Sequence, residues 1–68
     1  MSERMDQIIT AAVRQGFSVR QTRNGTWVFA KGIATLTFER TPATPIEWVR
    51  MLNALRGAGL RFPMYRRR

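Results

Sequence analysis

Near the start of the chain, Met5, Ile8, Ile9, Ala12 and Val13 repeat with the spacing of one helical stripe. Ser2 predicts the N-cap, and Glu3 and Asp6 lie in the first turn, where the positive end of the helix dipole favours anions. Gly16 predicts a left-handed stop, with Phe17 as the hydrophobic residue folded back over it. Over residues 17–40 the period falls to two. Residues 17–22, 26–31 and 33–38 are rich in β-branched and aromatic side chains, and Asn24-Gly25 and Gly32 punctuate them as turns. Thr41-Pro42-Ala43-Thr44-Pro45 ends the sheet pattern. Thr44, Pro45 and Glu47 then take the N-cap, first-turn and capping-box positions of a second helix. Its stripe is Trp48, Met51, Leu52 and Leu55, and Gly57 or Gly59 stops it ahead of Leu60. The expected fold is α+β, of order α1-β1-β2-β3-α2: a three-stranded antiparallel meander with both helices on one face. Residues 1–60 form the single domain, and residues 61–68 a basic C-terminal tail that frays.

Which side of the meander each residue occupies depends on the turns. A two-residue Asn24-Gly25 loop pairs Thr22 with Trp27 and Arg20 with Phe29. Phe17, Val19, Val28 and Ala30 then face the helices, and a three-residue Lys31-Gly32-Ile33 loop adds Ala34, Leu36 and Phe38. The open face would show Trp27 and Phe29 beside Arg20, Thr22, Lys31, Thr35 and Thr37, a platform for stacking unpaired bases. One more residue in the first loop turns the strand over and sends both aromatics into the core. The sequence leaves both arrangements open.

Charge sharpens the functional expectation. Twelve basic and four acidic residues give a net charge of +8, and residues 48–68 carry six arginines and no acid. Arginine suits phosphate, which it can hold in a bidentate grip, and a small basic domain attracts polyanions through counterion release. With no Cys and no His the chain has no thiol, no thiolate or imidazole zinc site, and no imidazole base. Glu39 is the only carboxylate not placed in a helical first turn, and Lys31 is the lone lysine. No enzyme, metal or cofactor is therefore expected. The longest apolar run, Trp27-Val28-Phe29-Ala30, is far short of a membrane span. The acids of Met1-Ser2-Glu3-Arg4-Met5-Asp6 fall where a secretory signal is apolar, so a cytoplasmic location is expected.

Three stretches carry a family resemblance: the helix ending in Gly16-Phe17, the turn Arg23-Asn24-Gly25-Thr26, and residues 48–60, which end in Ala58-Gly59-Leu60. Across residues 5–60 the chain resembles the HicA toxins, small bacterial and phage mRNA interferases with a fold like that of double-stranded-RNA-binding domains. The resemblance implies RNA as the ligand. It also places Trp27 where the family's Gly-Ser-His turn carries its catalytic histidine, so this chain resembles a member without the nuclease machinery. The family implies an antitoxin partner, but a chain without the active site gives such a partner nothing to silence. Double-stranded-RNA-binding domains place a lysine cluster where this chain has Pro45-Ile46-Glu47, with Arg50 its first cation, so their duplex docking mode is not supported.

The expectation is a non-catalytic nucleic-acid-binding module, with RNA favoured over DNA. Arg20, Arg23, Lys31, Arg61, Arg66, Arg67 and Arg68 would meet phosphates, and Trp27 and Phe29 would stack on bases. The alternative is a phage or bacterial regulator that dimerises, or holds a protein partner, through the open sheet face.

Overall fold

A computed structural model describes residues 3–62 of the chain. Its order is α1 (Glu3–Arg14), β1 (Ser18–Gln21), β2 (Trp27–Lys31), β3 (Ala34–Phe38) and α2 (Pro45–Gly57). The strands form one antiparallel sheet in the order β1-β2-β3. This is the α+β meander that the periodicities predict. Ser2, the expected first cap, lies outside the described residues, as do Arg66, Arg67 and Arg68.

Local chemistry sets the helix ends. Thr44 caps α2: its hydroxyl accepts from the Glu47 amide at 3.2 Å, and Pro45 fills the first turn, where its missing N–H costs nothing. Glu47 departs from a capping box. Its carboxylate accepts from the amide of Ala43, one residue before the cap, at 2.8 Å. Both helices close with the same pair of reversed hydrogen bonds. At α1, Phe17 N–H donates to Ala12 C=O and Gly16 N–H to Val13 C=O; at α2, Leu60 N–H donates to Leu55 C=O and Gly59 N–H to Arg56 C=O. Gly59 rather than Gly57 is thus the stop, and Phe17 and Leu60 are the buried clasps.

The two helices run in the same direction over one face of the sheet. Near their N-termini the Arg4 guanidinium stacks 5.4 Å from the Trp48 ring. Beyond their C-terminal ends the Gln15 carboxamide grips the Arg61 backbone both ways, accepting from N–H at 2.8 Å and donating to C=O at 3.0 Å. Between helices and sheet lie Met5, Ile8, Phe17, Phe29, Met51, Leu55 and Leu60. Phe29, Ile8, Met51 and Leu55 are the largest side chains removed from solvent.

The turns decide between the two arrangements of the strand faces. The first loop holds three residues, not two. Gly25 N–H donates to Thr22 C=O at 2.9 Å around Arg23 and Asn24, and Thr22 N–H donates to Thr26 C=O at 2.8 Å. A two-residue type I′ turn would need Asn24 at positive φ, but among the described residues only glycines have it. Gly25, at φ 91°, instead takes the left-handed third position of the longer loop. This shifts the register by one, so Val19 faces Phe29 and Gln21 faces Trp27. Trp27 and Phe29 therefore turn toward the helices, and Val28 and Ala30 toward the open side.

The second loop errs in the opposite sense. Lys31 pairs with Ala34 across Gly32-Ile33 alone, and Gly32, at φ 61°, leads a type II′ turn. The two differences cancel in β3, where Leu36 and Phe38 pack on the core as expected.

Candidate nucleic-acid interface

The open face is two rows of three residues across the sheet. One row is Ser18, Ala30 and Thr35; the other is Arg20, Val28 and Thr37. Residues opposite each other in an antiparallel ladder share a face, so these six side chains stand together. Ser18, Arg20, Thr35 and Thr37 are exposed, and Val28 and Ala30 between them are half-buried. None of the six carries negative charge; the nearest acid along the strands is Glu39, just past the end of β3. One guanidinium among three hydroxyls on a flat strip of small side chains offers phosphate and sugar contacts rather than stacking.

The aromatic platform is absent from this face. Phe29 is 0% exposed and meets Phe38 edge-on, with ring centroids 5.8 Å apart and planes at 77°. It is a core residue and cannot stack on a base. Trp27 is half-buried on the helix side, where its indole N–H donates to the Thr41 hydroxyl at 2.8 Å. That bond ties the start of β2 to the segment leading into α2 and satisfies the polar atom of a large half-buried ring.

Among the described residues the predicted cations do not converge. Arg20 is on the open face, and Arg23 is exposed at the tip of the first hairpin. Lys31 belongs to the helix side, its ammonium 5.3 Å from the Phe17 ring. Arg61 is exposed beyond α2, its backbone held by Gln15. Ser18, Thr35 and Thr37 are the further residues of the strip. Their alternation along the strands was legible for Thr35 and Thr37, whereas only the register sets Ser18 beside them.

The single ion pair among the described residues joins Arg40 to Glu47 at 2.8 Å. Glu47 is held below the ordinary carboxylate range, first by the Ala43 amide and then by the Arg40 guanidinium. Arg40 and Glu47 border a shallow groove of ≈ 340 Å³ between the end of β3 and α2, with Phe38, Pro42 and Met51 beneath and Arg50 opposite. Two acids and two bases there cancel, so the groove has no preference for an anion. Among the described residues no cluster of acids could hold a metal, and no helix is long and apolar enough to cross a membrane.

Comparison with protein-family models, with curated proteins and with solved structures finds no match to the chain.

Proposed function

We propose that this chain is a non-catalytic basic module that holds the sugar–phosphate backbone of a nucleic acid, RNA ahead of DNA, on its open sheet face. The observation that carries this is the strip of Ser18, Arg20, Thr35 and Thr37, free of acid, in a chain of net charge +8. Arg20 would take a phosphate, and the hydroxyls would bond to phosphate or to a ribose 2′-OH, which DNA lacks. Arg23 at the hairpin tip would extend the contact beyond the strip. Without an aromatic in the strip, binding is sequence-tolerant and governed by charge. The resemblance to HicA toxins favours RNA on independent grounds, with Trp27 at the histidine position speaking for binding without cleavage.

A protein partner on the same face would find no aromatic side chain to anchor it, with Arg20 as the one large side chain of the strip. Anisotropy of a labelled 20-nucleotide single strand, as RNA and as DNA, tests the proposal between 50 and 200 mM salt. The expected result is about micromolar or weaker affinity that falls steeply with salt, with RNA bound the more tightly. Affinity unchanged across that range would overturn it.

A further inference from the structure

Among the described residues the sheet has two free edges, and they differ in a way that bears on self-association. Thr22 N–H donates to Thr26 C=O while Thr26 N–H donates to the Thr22 hydroxyl, and bonded pairs of the ladders alternate from there. Val28 and Ala30 therefore direct their amides to β1, and Trp27, Phe29 and Lys31 direct theirs to β3. The amides and carbonyls of Thr35 and Thr37 point away from β2, along a side of β3 that no strand pairs. On the other edge, those of Val19 and Gln21 point away from the sheet.

We propose that the free edge of β3 is an interface for a second copy of this chain, joining two meanders into one six-stranded antiparallel sheet. Two β3 strands related by a twofold axis bond Thr35 of each to Thr37 of the other, which places Leu36 against Leu36 on the axis. Every facing pair within β3 is uncharged in that register: Thr35 with Thr37, Ala34 with Phe38, and Leu36 with itself; the next pair outward sets Ile33 against Glu39. Leu36 and Phe38 are only half-buried in the single chain, so pairing also completes their burial. The same operation on β1, bonding Val19 to Gln21, would set Arg20 against Arg20, and like charges directly opposite are destabilising. Edges that must stay single usually carry a charge, a proline or a bulge; β1 has its arginine, and Ala34–Phe38 has none of these. Ile33, 106% exposed at the turn into β3, gains a neighbour in the second copy's residues just past its own β3.

A second copy fits this edge better than an unrelated strand, because β3 is complementary to itself about Leu36 in both hydrogen bonds and side chains. The contact is short, well below a standard interface, so the dimer is weak. Two chains of net charge +8 also repel. Salt therefore strengthens this association, whereas it weakens the binding of a polyanion. The two proposals thus fail separately.

Sedimentation equilibrium of the full chain at increasing concentration and salt tests the inference. The mass should rise from 7.9 kDa toward twice that value, at lower protein concentration in 1 M than in 0.1 M salt. Thr37→Pro removes a donor that β2 does not use, so it should keep the monomer's circular dichroism and abolish the mass increase. Doubly substituted chains, T35K/T37K and T35E/T37E, should each stay monomeric and associate when mixed. If a variant fails to fold, amide exchange in the native chain decides: the Thr35 and Thr37 amides should become protected as concentration rises. A monomer up to about millimolar concentration in high salt, a dimer indifferent to T37P, or edge amides whose exchange ignores concentration would each overturn the proposal.

Discussion

Val19 stands directly across from Phe29 in the first hairpin, and the Phe29 ring is closed off from solvent between sheet and helices. Position 29 therefore serves stability and not direct contact with a ligand. Removing the ring leaves a cavity that helices clipped to each other by Gln15 and Arg61 cannot readily fill. Phe29→Ala should cost about 3–5 kcal/mol, enough to leave so small a domain largely unfolded at 25 °C. Phe29→Leu, which keeps most of the volume, should cost about 1–2 kcal/mol and leave nucleic-acid affinity unchanged. Urea titration of tryptophan fluorescence, with anisotropy on the folded variant, checks both.

The helices were readable because their signals are local. Thr44, Pro45, Gly16 and Phe17 act within one turn of where they stand, and the structure uses each as its chemistry suggests. The strand faces were not readable, because Trp27-Val28-Phe29-Ala30 is apolar at four successive positions and carries no phase of its own. Its phase came from the first turn, where Asn24-Gly25 fits either a two-residue loop or the last two places of a three-residue one. The choice lies in the sign of one φ at Asn24, and burying Phe29 rather than Val28 favours the longer loop. In β3, Thr35 and Thr37 alternate with Leu36 and Phe38, and there the expected face is the observed one.

Two glycines at the end of α2 separate backbone conformation from packing. An added Cβ would meet nothing within 4 Å at either Gly57 or Gly59, yet only Gly59, at φ 108°, has a conformation L residues avoid. Gly57→Ala should stabilise the chain by about 0.5–1 kcal/mol, by cutting the entropy of the unfolded state and favouring helix. Gly59→Ala should destabilise it by about 1 kcal/mol or more, through left-handed strain. Thermal melts should place the two variants on opposite sides of the parent, each displaced by roughly 2–8 °C.

Glu47 links the start of α2 to pH. The Ala43 amide and the Arg40 guanidinium favour its charged form, so its pKa is lower folded than unfolded. Its contribution is thus fully present above the unfolded value and is lost as pH falls through the folded one. The melting temperature should be flat near neutrality and fall below the ordinary carboxylate range. Glu47→Gln should be the less stable chain at pH 7, and its deficit should narrow at pH 3, when the parent has lost the same charge. A deficit of equal size at both pH values would assign the effect to packing instead.

Arg20 and Lys31 carry the same charge on opposite sides of the sheet, and this makes them a test of which face meets the ligand. A cation that neutralises a phosphate releases a counterion, and its removal lowers the slope of log affinity against log salt by about 0.7–0.9. Arg20→Gln should show that loss together with weaker binding at every salt concentration. Lys31→Gln should leave the slope within about 0.2 of the parent, since its ammonium rests over Phe17 on the helix side. Equal losses would mean that the strand wraps the edge of the sheet instead of lying along the strip. A loss confined to Lys31→Gln would move the interface to the helix face, where Lys31 borders Gly16 and the end of α1. Only the first pattern fits a backbone lying between Arg20 and the hydroxyls of Thr35 and Thr37, because those side chains share a face that the Lys31 ammonium does not reach.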